Sequence, residues 1–257
     1  MGELYQAVSK AGLITDYSSP GLNFAKCQSA LISPGKSDVN VPAADISLAE
    51  VDVLAHRLDQ MASSRQNDAI AVAIAEEFAN IVLLVRRVKK ETGGTFAGTL
   101  GAGADLTALW LLPKDVGGTI LNSAPAGALG LYGGGGGAVF TWLATFVANT
   151  TAPIIPSQQM IQWAGVLHIG LLDNVDVPKI QAARITIAGQ TAPKETLMMD
   201  NRRQNGDSYN TSFIRFEKPW FVSPLTTQQI DLMPGPAGDS RPELVSILIA
   251  RIQDLVF

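Results

Sequence analysis

The side chains best suited to acid–base, nucleophilic or metal chemistry are scarce in this chain, which has two histidines and one cysteine in 257 residues. His56 has Asp52 and Asp59 one helical turn to either side, a spacing that can orient an imidazole or hold a metal ion weakly. A solvent-facing helix pair is the plainer account. His168 lies in the apolar run Val166-Leu167-His168-Ile169, where a hydrogen-bonded structural histidine is simpler than a general base. With Cys27 alone and the histidines far apart, a Cys/His zinc site within one chain has no support. There is no G-x-S-x-G elbow, and no local signature marks Cys27 as an activated thiol.

Weaker motifs fare similarly. Gly98-Thr99-Leu100-Gly101-Ala102-Gly103 is a faint likeness of a phosphate-binding loop, but it fits neither G-x-G-x-x-G nor the Lys-Ser/Thr ending of a P-loop. An apolar strand-like run follows it, not a helix whose amino terminus can hold an anion. Asp173-Asn174-Val175-Asp176 offers oxygen ligands without EF-hand spacing and reads as a turn. Asn149-Thr150-Thr151 and Asn210-Thr211-Ser212 match the glycosylation triplet, which matters only after secretion. Arg202-Arg203 falls in a polar loop tip, facing water or a neighbouring subunit. The residues thus nominate no catalytic, cofactor-binding or metal-binding set, and no cofactor.

The elements that would position any site divide the chain into three parts. Residues 1–45 mix short apolar runs with Ser19-Pro20-Gly21 and Ser33-Pro34-Gly35, which reads as an extended arm or as edge strands. Residues 46–92 contain no glycine or proline, although the chain has 24 Gly and 14 Pro. Since glycine costs about 1 kcal/mol and proline about 3 kcal/mol inside a helix, this exclusion predicts a helical block, either one long helix or a hairpin. Ser47 and Glu50 form a capping box at its start. Val51, Leu54, Leu58 and Met61 make one apolar stripe, and Ile70, Ile74, Ile81, Val85 and Val88 make a second. The polar stretch 63–68 between them is a turn or a wet part of one helix. Arg86, Arg87, Lys89 and Lys90 complement the helix dipole at its end, and Gly93-Gly94 closes it. That basic cluster is more simply helix chemistry than a nucleic-acid site.

Residues 93–257 change texture, with short apolar runs separated by turn residues. Strands are expected at 106–112, 138–148, 165–172, 179–188, 196–199, 211–217, 220–222, 228–233 and 243–256. The run 244–250 is apolar on both faces and should be a central strand covered on both sides. The Gly-rich loop 117–137, which ends in Gly133 to Gly137, reads as a surface loop or a place of close backbone packing. No βαβ alternation follows residue 94, which argues against a parallel doubly wound sheet. The fold class expected is mainly β, an antiparallel β-sandwich carrying an N-terminal arm and a helical block.

Composition bears on partners. The chain is 47% hydrophobic and only 16% charged, against about 25% charged for an ordinary soluble domain. Obligate interfaces are depleted in charge, so copies of the chain itself are the expected partner. A net charge of -4 argues against a main task of neutralising nucleic-acid phosphates. Contact of one face with nucleic acid or membrane, an inner face in any closed assembly, has no sequence support. The single cysteine allows no internal disulfide, and residues 1–17 lack the pattern of a secretion signal, so secretion by that route is not expected.

In this general cast residues 94–257, with the phrase Phe216-Glu217-Lys218-Pro219-Trp220 and the final strand, resemble the jelly-roll coat proteins of icosahedral viruses. The resemblance implies a β-sandwich whose loops and arm contact neighbouring capsomers, a self-assembling structural protein and not an enzyme, other shell proteins as possible further partners, and a virion or host cytoplasm as its location. The alternative is a carbohydrate- or lipid-binding sandwich using Trp110, Trp142, Trp163 and Trp220 as platforms, or an enzyme with a site built from scattered residues.

Overall fold

The computed structural model describes residues 46–65, 68–96, 105–116, 128–129, 135–136, 142–173, 179–187, 195–198 and 213–251. The arm 1–45, Cys27, Gly98 to Gly103, most of the Gly-rich loop, Asn210 and Arg202-Arg203 lie outside the described residues.

The helical block comprises α1 (Leu48–Arg65), α2 (Asp68–Glu76) and α3 (Phe78–Thr92). The α2–α3 junction is a one-residue turn at Glu77 through which helical bonding continues, the Glu77 amide donating to the Ala73 carbonyl and the Ile81 amide to the Glu77 carbonyl at 3.0 Å, and Lys89 near the end of α3 reaches Glu50 near the start of α1. The expected caps are in place. The Ser47 amide donates to Glu50 Oε2 at 2.8 Å, and the Glu50 amide donates to Ser47 Oγ at 3.2 Å. At the other end Gly93 adopts φ 70 and its amide donates to the Lys89 carbonyl at 2.8 Å, a left-handed cap that suits glycine. Both apolar stripes are buried.

The strands are β1 (Leu106–Trp110), β2 (Ala128–Leu129), β3 (Gly135–Gly136), β4 (Ala144–Phe146), β5 (Ala152–Gln159), β6 (Ala164–Asp173), β7 (Ile180–Ile187), β8 (Glu195–Met198), β9 (Phe213–Val222), β10 (Thr227–Pro234), β11 (Gly238–Ser240) and β12 (Pro242–Arg251). They build two four-stranded sheets in the orders β1-β12-β6-β9 and β5-β10-β7-β8, every pairing antiparallel. With the minor strands β2, β3, β4 and β11 set aside and the rest numbered along the chain, the orders become 1-8-3-6 and 2-7-4-5. That interleaving of two Greek keys is the jelly roll.

The two sheets share one apolar core, to which Ile154, Val166, Ile185, Phe216, Ile230 and Leu248 belong. A second core lies between the other face of the first sheet and the helices. β12 makes the three layers explicit. Leu244, Leu248 and Ala250 face the second sheet, and Val245, Ile247 and Ile249 face the helices, as the doubly apolar run predicted for a central strand.

The strand β5 is not among those expected from the sequence, since Pro153 and Pro156 interrupt it. It is an edge strand, where a missing donor costs no ladder bond. The strands expected at 211–217 and 220–222 are one strand, β9, which also lies at an edge and so tolerates Pro219. Of the strand expected over 138–148, residues 144–146 are β4, paired with β11.

The antiparallel registers set the ends of the sandwich apart. Strand ends flanking the connections 111–151, 174–179, 199–212 and 235–241 gather at one end, where the Asn149 amide donates to the Gly235 carbonyl and the Gly235 amide to that of Lys179. The connections 160–163 and 223–226 meet at the other.

Candidate functional site

Of the two histidines, one is in the core. His168 is fully buried between the sheets, with Nδ1 2.7 Å from Ser246 Oγ on β12 and Nε2 3.1 Å from Gln228 Oε1 on β10. With the Gln228 amide in this orientation the proton is assigned to Nε2, and the Ser246 hydroxyl donates to Nδ1. The cluster is a polar bridge across an apolar interior, since Ser246 and Gln228 are themselves buried. Burial holds the His168 pKa down at about 4, against the raising effect of the Gln228 hydrogen bond. A neutral imidazole at 0% exposure, closed off by Ser246 and Gln228, is a structural hydrogen-bond pair.

His56 lies on the outer face of α1. Its Nδ1 is 3.0 Å from the Asp52 carbonyl and 3.7 Å from the Asp52 carboxylate, with both side chains more than half exposed. The helix-surface account therefore fits. Among the described residues no His, Cys, Asp and Glu side chains are grouped as metal ligands would be.

In the basic cluster on α3, Arg87 and Lys90 are exposed and Lys89 is half-buried. Lys89 Nζ donates to both oxygens of Glu50, at 2.8 and 2.9 Å. The Arg87 guanidinium covers the Phe221 ring at 4.3 Å and donates to Ser223 Oγ. Arg86 is buried. Glu50 is the hub of this region, accepting also from the Ser47 and Phe96 amides. Burial alone raises a carboxyl pKa, but Lys89, the two amides and the Ser47 hydroxyl outweigh it and hold Glu50 at about 2. Ser47 and Glu50 were legible as a cap; Lys89 and Phe96 as partners were not, because nothing local announces a contact across 39 or 46 positions.

Further ion pairs fasten the helices to the first sheet. Arg65 pairs with Glu243 and lies over the Trp110 ring at 4.3 Å. Arg215 on β9 pairs with Glu76 and Glu77, the latter at 2.7 Å. Burial lowers its pKa and the two carboxylates raise it, with a net rise. Of the four tryptophans considered as platforms, Trp142 is buried, Trp110 is covered by Arg65, and Trp163 and Trp220 pack partly buried against the core.

The described surface exposes two large apolar side chains, Val147 at 69% and Leu225 at 52%. They stand at opposite ends of the sandwich, each in a turn containing a residue with positive φ. No helix of the described residues is long and apolar enough to cross a membrane.

No family model matches the chain, and no curated protein matches it. Among solved structures, the crystal structure of a ruminal GH26 endo-β-1,4-mannanase is similar over 58% of this chain and 26% of that one, with 11% identity and a TM-score of 0.23. A likeness that slight carries no conclusion about fold or activity.

Proposed function

We propose that this chain is a structural subunit that assembles with copies of itself into a closed shell or lattice, as a viral coat protein does. The observation that carries the reading is the strand order 1-8-3-6 and 2-7-4-5, the jelly roll used by capsid domains, lectins and cupins. Two further features favour a shell among those uses. The space between the sheets is filled by the chain's own apolar side chains and by the His168 bridge to Ser246 and Gln228. With 16% charged residues, the surface is suited to being covered by neighbours. On this reading the chain performs no catalytic step, and its partner is itself.

Light scattering and negative-stain microscopy of the purified protein test the proposal. Particles or sheets far larger than the 27.2 kDa chain are expected. A monodisperse monomer at high concentration, across salt and pH, overturns it.

A further inference from the structure

We infer that the seam between the two sheets parts in acid through protonation of His168, releasing the second sheet while the first stays packed on the helices. The inference does not depend on the shell reading.

The first observation is what surrounds the imidazole. His168 is at 0% exposure and belongs to both sheets, through Ser246 on β12 beside it and Gln228 on β10 across the seam. Trp220 on β9 is its neighbour on the other side, and Gln158 and Ile187 flank Gln228 in the second sheet. None of these carries a charge. Among the described side chains, the charged ones on these strands point elsewhere. Glu243 and Arg215 pair with residues of the helices, and Arg251 continues the helix-facing row of β12. Asp231 and Arg184 are register partners that alternate with core-facing residues, which puts them on the outer face of the second sheet. An imidazolium would thus form in an apolar core with no carboxylate facing it.

Hydrogen bonding sharpens the effect. Gln228 Nε2 and Trp220 Nε1 are buried donors with no acceptor among the described residues, so donors are already in excess. A second proton on the ring turns Nδ1 from an acceptor into a donor, and the Ser246 hydroxyl loses the acceptor it uses.

The second observation is asymmetry. β6 is irregular in both of its ladders at this residue, between Val245 and Ser246 towards β12 and between His168 and Gly170 towards β9. Pairing is interrupted at such places, so the strand is least held where the charge would appear. The first sheet shares one core with the second sheet and another with the helices, whereas the second sheet contributes to the former alone. Once the seam parts, the first sheet keeps a covered apolar face. The second keeps none among the described residues, and strands without a buried face do not hold their ladders. The helix side also resists acid longer. Glu50, which joins α1 to α3 through Lys89, stays ionised to about pH 2, whereas His168 in the closed seam takes its proton at about pH 4.

Hydrogen exchange of the full chain, resolved by element and expressed as protection so that intrinsic rates cancel, tests this. With an ordinary His168 pKa in the open state and one of about 4 in the closed state, opening becomes about 20-fold more frequent between pH 7 and pH 5. Protection of β5, β7 and β10 should fall by that factor and stay below that of α1, α3 and β12 at both pH values. His168→Gln, uncharged throughout, should abolish the fall. Equal protection in both layers at pH 5 overturns the inference, since the molecule then opens as one unit. So does a fall that begins only below pH 4.5, where carboxylates titrate. If His168→Gln does not fold, the wild type decides by NMR of its labelled histidines. The loss of protection must then begin near pH 6.5 and level off where the His168 ring takes its proton, and a ring that titrates at pH 6.5 in the folded chain overturns the inference.

Discussion

Two buried side chains carry pH dependence of opposite origin. His168 binds its proton less readily folded than unfolded, so its stabilising effect is complete above pH 6.5 and is lost as the pH falls from 6.5 towards 4. At about 1.4 kcal/mol per unit, that interval is worth about 3 kcal/mol. Urea unfolding at pH 7 and pH 4 should register the loss, and His168→Gln should flatten it; an equal loss in the variant would assign the effect elsewhere. Glu50 acts lower, since its depressed pKa gives stability present above pH 4.5 and lost as the pH falls from 4.5 to about 2. Replacing Glu50 by Gln removes the charge that Lys89 faces, at a cost of about 2–4 kcal/mol in unfolding free energy at pH 7. His168 was legible in the sequence as a structural histidine because apolar residues flank it. Ser246 and Gln228 were not, since they lie 78 and 60 positions away and only strand pairing brings them near. Leu225 was overlooked for the opposite reason, because a leucine after Ser-Pro gives no sign of a positive φ.

At the scale of elements, close packing sets the sharpest limits. Gly170 sits at an irregularity between β6 and β9, and a Cβ there would lie 2.4 Å from the Phe213 ring and 2.6 Å from the Ile214 carbonyl oxygen. The ring can give way and the backbone cannot. Gly170→Ala should therefore destabilise by about 1–3 kcal/mol, measured as a lower urea midpoint with an unchanged slope. Helix caps and the doubly apolar β12 were readable because each depends on residues a few positions apart. The turn at Glu77 was not, since Ala-Glu-Glu-Phe carries neither glycine nor proline. β5 was hidden by Pro153 and Pro156, which mark a loop by local rules and become acceptable only once the strand is known to lie at an edge.

For the whole molecule, fold class followed from periodicity, but the strand order did not, because every neighbour relation in 1-8-3-6 joins segments distant in the chain. On the shell reading, contacts between copies of a chain with 16% charged residues are mainly uncharged, and this gives assembly a signature in salt. Surface ion pairs fade as the Debye length shrinks to about 3 Å at 1 M, whereas burial of uncharged surface does not. Assembly at 1 M sodium chloride should be at least as extensive as at 0.1 M, measured by sedimentation velocity; dissolution by salt would point to an ionic contact instead. The prolines on β5 and β9 reach further than local geometry. Each leaves an edge strand one backbone donor short, and proline on an edge discourages a stranger's backbone from pairing alongside. Growth by endless lateral stitching, the route to fibrils, is thereby discouraged on one margin of each sheet. Copies are left to join through side chains and turns, contacts weak enough singly to come apart and be remade.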